Sequence, residues 1–177
     1  QATIDLSSVT LTGGTVSYTG QNQMISVQNL PENDKLEVSY NMSEAVNAGT
    51  YKVVVTFSSN DDNYKVSVES LSATLEITQA ENSATVSLEG WTFGQTANNP
   101  SVDASFGGDT VVYTYATSQE GEYTETIPTN AGTYYVKATI PATDNYAGAT
   151  SEPVEYTIAQ ATIDLSSVTL TGGTVSY

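Results

Sequence analysis

The chain has 177 residues and a formal net charge of -16, with 20 Asp and Glu against 4 cations, all Lys (Lys35, Lys52, Lys65, Lys137). That balance argues against nucleic acid and anionic membrane as partners, because phosphate binding needs cations. The absence of His, Cys and Arg removes His-based triads, thiolate nucleophiles, zinc sites and arginine phosphate clamps. No apolar run approaches the ~20 residues of a membrane span, and no basic leader precedes Gln1, so the chain reads as an excerpt of a longer secreted protein.

Ile4 and Leu6 alternate with polar neighbours in a first strand, and Gly13-Gly14 turns the chain into Thr15-Val16-Ser17-Tyr18. Met24-Ile25-Ser26-Val27 is predicted as a third strand, and Leu36, Val38 and Tyr40 share one face of a fourth. Asn47-Ala48-Gly49-Thr50-Tyr51 then leads into an alternating run whose Tyr51, Val53, Val55 and Phe57 face inward. Gly49 is expected at positive φ, because the chain must reverse before the strand. A polar loop, Ser58 to Asn63, precedes the short piece Tyr64 to Val68, and Ala73, Leu75 and Ile77 form the inner side of a last strand.

The second half follows the same order. Trp91-Thr92-Phe93-Gly94 stands where Val16 to Gly20 stood, and Asn130-Ala131-Gly132-Thr133-Tyr134 leads into Val136, Ala138 and Ile140. Asp144-Asn145-Tyr146 matches Asp62-Asn63-Tyr64, and the strand through Tyr156 and Ile158 matches that through Leu75 and Ile77. Order and near-equal spacing make the halves repeats. Residues 160–177 are identical to residues 1–18, a period of 160 − 1 = 159. The expected organisation is therefore a module at 2–79, a second at 80–159, joined through Gln79-Ala80, and the start of a third at 160–177. In that start, Ile163, Leu165, Val175 and Tyr177 repeat the apolar pattern of Ile4, Leu6, Val16 and Tyr18, and an uncovered face of this kind is expected to dock on another sheet. No helical period runs through the chain.

Tyr18-Thr19-Gly20, the two Asn-Ala-Gly-Thr-Tyr runs, Asp-Asn-Tyr and the closing Ile77-Thr78-Gln79-Ala80 together resemble the MBG-type repeats of bacterial surface proteins. The second module resembles the YGX type, with Phe93 where that type has Tyr. The resemblance implies a stalk or spacer repeat of a large cell-surface or secreted adhesin-like protein, extracellular and without catalytic residues. The Tyr51 and Tyr134 strands also resemble the immunoglobulin corner, in which a Tyr hydroxyl bonds back to the turn backbone. Both rings are then expected to be largely buried. The fold expected is all-β, two tandem Ig-like antiparallel sandwiches, with a β-grasp as the structural alternative that would need a helix.

Four chemistries remain to be weighed. Intramolecular isopeptide bonds need a buried Lys, but strand parity points Lys52 and Lys137 outward, and Lys35 and Lys65 lie at loop edges. Asn60-Asp61-Asp62-Asn63, and more weakly Asp144-Asn145, carry oxygens that a weak calcium site would use, although turns favour the same residues. Trp91, Phe93, Tyr113, Tyr115, Tyr123, Tyr134 and Tyr135 crowd the second module, where exposed rings beside carboxylates would bind glycan and buried ones would form core. Asn41-Met42-Ser43 matches a glycosylation sequon. We expect no catalytic, cofactor or metal residues. The function expected is that of a structural spacer, packed against adjacent repeats and part of a fibre, with a carbohydrate- or protein-binding adhesin module as the alternative.

Overall fold

The computed structural model describes residues 1–173, so Val175 and Tyr177 lie outside the described residues. The chain is all-β and divides into two compact units. Unit 1 is Gln1–Asn82 together with Pro141–Ala149, and unit 2 is Ser83–Ile140 with Thr150–Tyr177. Among the described residues the helical content is one 3₁₀ turn, Gly108–Thr110, so the helix a β-grasp requires is not there.

Unit 1 is built on β4 (Gly49–Ser59), the long strand that the Asn-Ala-Gly-Thr-Tyr run opens. Its period-two pattern places Val53, Val55 and Phe57 in the core, at 0%, 0% and 3% exposure. β3 (Leu36–Tyr40) and β6 (Ser70–Thr78) flank it antiparallel, and β2 (Gly14–Ser17) adds to β6 in parallel. The order is β2-β6-β4-β3. A separate pair, β1 (Ala2–Ile4) and β5 (Tyr64–Val66), is also parallel. Ile4, Leu6 and Val9 join Leu75 and Ile77 in one core with the β4 residues. Each such fully buried side chain stabilises by about 1.5–3 kcal/mol.

Unit 2 repeats the plan around β11 (Gly132–Ile140), flanked antiparallel by β10 (Val112–Ala116) and β13 (Val154–Ala159). β8 (Trp91–Thr92) adds to β13 in parallel, the position β2 holds on β6, and the short β12 (Ala149–Thr150) pairs with β11. β7 (Ala84–Ser87) and β9 (Ser101–Ala104) form a second, antiparallel layer. Val86 and Leu88 from that side meet Val136, Ala138, Tyr156 and Ile158.

The expectation of two all-β modules holds, but the sheets are not wholly antiparallel. β1–β5, β2–β6 and β8–β13 are parallel. In each pair the strands are joined through the rest of the module rather than by a hairpin turn, so the chain has room for the crossover that parallel pairing needs. Met24–Val27 forms no ladder. Its neighbourhood is satisfied otherwise, with the Val27 amide donating to the Tyr40 hydroxyl at 3.1 Å and the Gln23 amide to the Ala45 carbonyl at 2.9 Å.

The two corner tyrosines behave as the immunoglobulin pattern requires. Tyr51 donates its hydroxyl to the Asn47 carbonyl at 2.7 Å, and Tyr134 to that of Asn130 at 3.1 Å. Both rings are half-buried rather than largely buried, because each folds back over its own turn at the strand start. The positive φ expected at both turn glycines is found at one of them. Gly49 has φ +156°, but Gly132 is not at positive φ. A Cβ on Gly132 would lie 3.2 Å from the Tyr134 hydroxyl and 3.3 Å from its ring, and one on Gly49 would lie 3.8 Å from the Tyr51 ring. At Gly132 the missing side chain makes room for the ring, whereas at Gly49 a Cβ would be at ordinary contact distance and the positive φ is the constraint.

A second matched pair of glycines marks where the parallel strands approach most closely. A Cβ on Gly13 would run into the Thr74 carbonyl oxygen, and one on Gly90 into that of Thr157, backbone atoms that cannot swing away. Gly14, next in the chain, has nothing within 4 Å of the same position. We predict that Gly13→Ala destabilises by about 1–3 kcal/mol, as overpacking does, whereas Gly14→Ala is neutral or gains up to about 1 kcal/mol from reduced unfolded-state entropy. Denaturant melts of the two variants check this; equal effects would remove the close approach as the reason for the pair.

Candidate functional site

The densest set of chemically useful side chains is the aromatic group of unit 2. Tyr156 sits at its centre at 4% exposure, brought there by the inward parity of β13. Trp91 stacks on it at 5.5 Å with planes 21° apart, Tyr134 lies tilted at 5.9 Å, and Tyr115 meets it edge-on at 6.3 Å. These are the offset and edge arrangements that ring quadrupoles favour. Trp91 and Tyr134 are therefore half-buried against the core, and Tyr115 is buried at 6%. Sequence reasoning named the other three rings but not Tyr156, although the match of its strand to that of Leu75 and Ile77 already placed it inward.

Two of the remaining rings, Tyr135 and Tyr123, lie on the outward side and each has a partner, whereas Tyr113 packs against the core. Tyr135 donates to the Glu155 carboxylate at 2.7 Å, across the β11–β13 pairing. Tyr123 donates to the Gln119 carbonyl at 2.9 Å, and its ring receives the Lys137 ammonium at 4.2 Å. The hydrogen bond to Glu155 holds the Tyr135 phenol above its ordinary value. Tyr113 is half-buried and its phenol is pushed up by burial. Phe93 is 47% exposed.

Unit 1 has an open groove of about 720 Å³ lined by Met24, Ile25, Ser26, Tyr40, Asn41, Met42 and Ser43, which gathers both methionines of the chain. The sequon asparagine lies here, but its side chain is committed to β4. Asn41 Oδ1 accepts from the Val54 amide at 2.7 Å while Nδ2 donates to the Lys52 carbonyl at 3.0 Å. A glycan on that nitrogen would break the bridge.

The acidic loop is a turn in its geometry. Asp61 Oδ1 accepts from the Asn63 amide at 2.9 Å and from Asn63 Nδ2 at 3.0 Å, and these bonds hold the Asp61 carboxyl below its ordinary value. Asp62 is exposed, and Asn60 Nδ2 donates to the Asp34 carbonyl at 3.1 Å. Among the described residues, no three Asp or Glu side chains converge as metal ligands would. Lys35 pairs with Asp34 at 3.0 Å, and Lys52 and Lys65 are exposed.

Asp144-Asn145-Tyr146, the counterpart of that loop in the second repeat, is built into unit 1. Asn145 Oδ1 accepts from the Ala48 amide at 2.8 Å, and Nδ2 donates to Asn47 Oδ1 at 3.1 Å. The Tyr146 ring lies edge-on to Tyr18 at 5.4 Å and 77°. Asn145 also accepts from the Ala80 amide through its carbonyl at 2.9 Å, and Gln79 Nε2 donates to the Thr143 carbonyl at 2.6 Å.

A family model described as MBG domain matches the chain over residues 7–81 and again over residues 84–162. No curated protein matches it. Among solved structures, similarity is found to a SusE-like surface located polysaccharide binding protein from the Bacteroides thetaiotaomicron heparin utilisation locus, at 11% identity and a TM-score of 0.27. That match covers 85% of this chain and 33% of the other.

The Tyr156 hydroxyl is buried and meets no protein partner among the described residues. Burial first, then the neighbouring Tyr115 and Tyr134, pushes its phenol well above the ordinary tyrosine value. Because burial disfavours the phenolate, this group leaves stability independent of pH below the unfolded value of about 10 and lowers it as pH climbs above that value. Tyr156→Phe is predicted to leave stability unchanged or raise it by up to about 1 kcal/mol, since an unsatisfied group is removed. It should also move alkaline unfolding to higher pH. A loss beyond about 1 kcal/mol in thermal melts would show that the hydroxyl is hydrogen-bonded after all.

Proposed function

We propose that this chain, which belongs to the MBG domain family, serves as a structural spacer repeat of a large extracellular protein at a bacterial surface. The observation that carries the reading is where the rings of unit 2 go. Trp91, Tyr115 and Tyr134 pack around Tyr156, so the rings best suited to hold a sugar face are engaged with one another, Tyr115 buried and Trp91 and Tyr134 half-buried. The identity of residues 160–177 with residues 1–18 fits the same role, because a spacer lengthens by adding periods. The acidic surface keeps such an array soluble and away from anionic membranes.

The second reading, a glycan- or protein-binding module, has one observation in its favour. Tyr123 and Tyr135 lie with Lys137 and Glu155 on the outward side of unit 2, where ring and charge could meet a ligand together. A panel of oligosaccharides titrated into the chain separates the two. The spacer reading predicts no saturable binding, and a length in solution that grows in proportion to the number of periods. Saturable binding that Tyr123→Ala and Tyr135→Ala abolish, with the melting midpoint kept, would replace it with the binding module.

A further inference from the structure

The contacts of Asn145 and Tyr146 within unit 1 have a vacant counterpart at each of two other places. The receiving side is Asn47, Ala48 and Tyr18, and the entering side is the Asp-Asn-Tyr loop together with the Gln-Ala pair it holds. In unit 2 the receiving side recurs as Asn130, Ala131 and Phe93. The backbone match is close: the Tyr18 amide donates to the Thr78 carbonyl at 2.8 Å, and the Phe93 amide to that of Ala159 at 2.8 Å. The entering side recurs at the start of the chain. The Ala2 amide donates to the Asn63 carbonyl at 2.8 Å and Gln1 Nε2 to the Asp62 carbonyl at 2.8 Å, as Ala80 and Gln79 do with Asn145 and Thr143.

Exposure differs between the occupied and vacant sides at three of the five matched positions, while Asn47 and Asn130 are both exposed and Tyr146 and Tyr64 both half-buried. Ala48, Tyr18 and Asn145 are half-buried, whereas Ala131, Phe93 and Asn63 are exposed. Among the described residues nothing accepts from the Ala131 amide or meets the Asn130 side chain. Beside them is an open hollow of about 420 Å³ lined by Phe93, Ala131, Gln160, Ala161 and Ile163. Ile163 and Leu165 are 81% and 66% exposed, while the identical residues Ile4 and Leu6 are 4% and 1% exposed. The described part of the 160–177 segment thus does not dock on its own chain. It lies beside the vacant receiving side with its apolar face open.

We propose that Asn130, Ala131 and Phe93 are a socket for the Asp62-Asn63-Tyr64 loop of the following copy of this repeat. Residues 160–177 supply that copy's first strand, in place of residues 1–18. Asn63 would accept from the Ala131 amide and donate to Asn130 Oδ1, and the Tyr64 ring would meet Phe93 edge-on. Phe93 keeps the ring that Tyr18 offers and loses only a hydroxyl, which an edge-on contact does not use. The loop needs no rearrangement to enter, because Asp61 and the Gln-Ala backbone already hold it. Gln160 and Ala161, now exposed, would take the Asp62 and Asn63 carbonyls. The occupant is another copy of this chain, chosen by the identity of the segment that leads to the socket.

This inference deepens the spacer reading and rests on it. The test is backbone hydrogen exchange in the chain as given and in a chain of two periods joined in register at residue 160. The Ala131 amide of the first period should slow by about tenfold or more on adding the second, as one new hydrogen bond implies. The Ala48 amide, already bonded, should be slow in both. Asn63→Ala in the second period should return Ala131 to fast exchange while its Val53 amide stays protected, which reports that the period is folded. Equal Ala131 exchange in the one- and two-period chains, or protection indifferent to Asn63→Ala, would overturn the socket. Failure of that kind leaves the spacer reading standing, since periods can be strung without a clasp. Saturable glycan binding would overturn the spacer reading without touching Ala131.

Discussion

The bond from each corner tyrosine to the carbonyl four residues before it decides where the central strand begins. Tyr51 reaches Asn47 and Tyr134 reaches Asn130, and each ring lies over a glycine, closely enough at Gly132 that a Cβ would crowd it. Such a bond contributes only about 1 kcal/mol net, less than one buried valine. Its leverage lies in register. A slip of one residue would turn Val53, Val55 and Phe57 out to solvent and Val54 and Thr56 in. Because β4 and β11 each pair on both sides, the neighbours take their register from the same start. The core energy comes from the apolar side chains, and the corner decides which side chains those are.

This division explains what could be read from the residues alone. The inward sets of β4, β6, β11 and β13 follow from alternation, a local property with a period the eye can test. The corner bonds follow from a five-residue pattern repeated in order. Features set by distant approach were not legible. Nothing in Gly13-Gly14 distinguishes the residue under the Thr74 carbonyl from its open neighbour. The parallel pairings depend on which remote strand a short segment meets. Met24–Val27 alternates like a strand, yet a tyrosine hydroxyl satisfies the Val27 amide and no ladder forms.

The candidate site was legible in its residue types and not in its use. An aromatic cluster flanked by carboxylates reads equally as sugar platform or core until parity is followed through every strand. Tyr156 favours core, since Trp91, Tyr115 and Tyr134 gather on its ring, while Tyr123 and Tyr135 engage charged partners and Phe93 is exposed. The Asx-rich loops show the same ambiguity. Asp61 uses its carboxylate to shape a turn, and Asn145, the counterpart of Asn63 in the second repeat, bonds to the Asn47 turn within unit 1. A motif that looks like a cation loop in one dimension is here a shaped surface that holds another turn.

The claim that the corner sets the register of each module is tested most directly by native-state hydrogen exchange on chains carrying Tyr51→Phe, Tyr134→Phe or both. Each single change should speed exchange of the core amides of its own module, Val53 and Val55 or Val136 and Ala138. The effect should be roughly fivefold, the equivalent of about 1 kcal/mol. The other module's amides should keep their rates. Core amides that exchange at unchanged rates in the double variant would show that the strands hold their register without the corner, and would contradict the account.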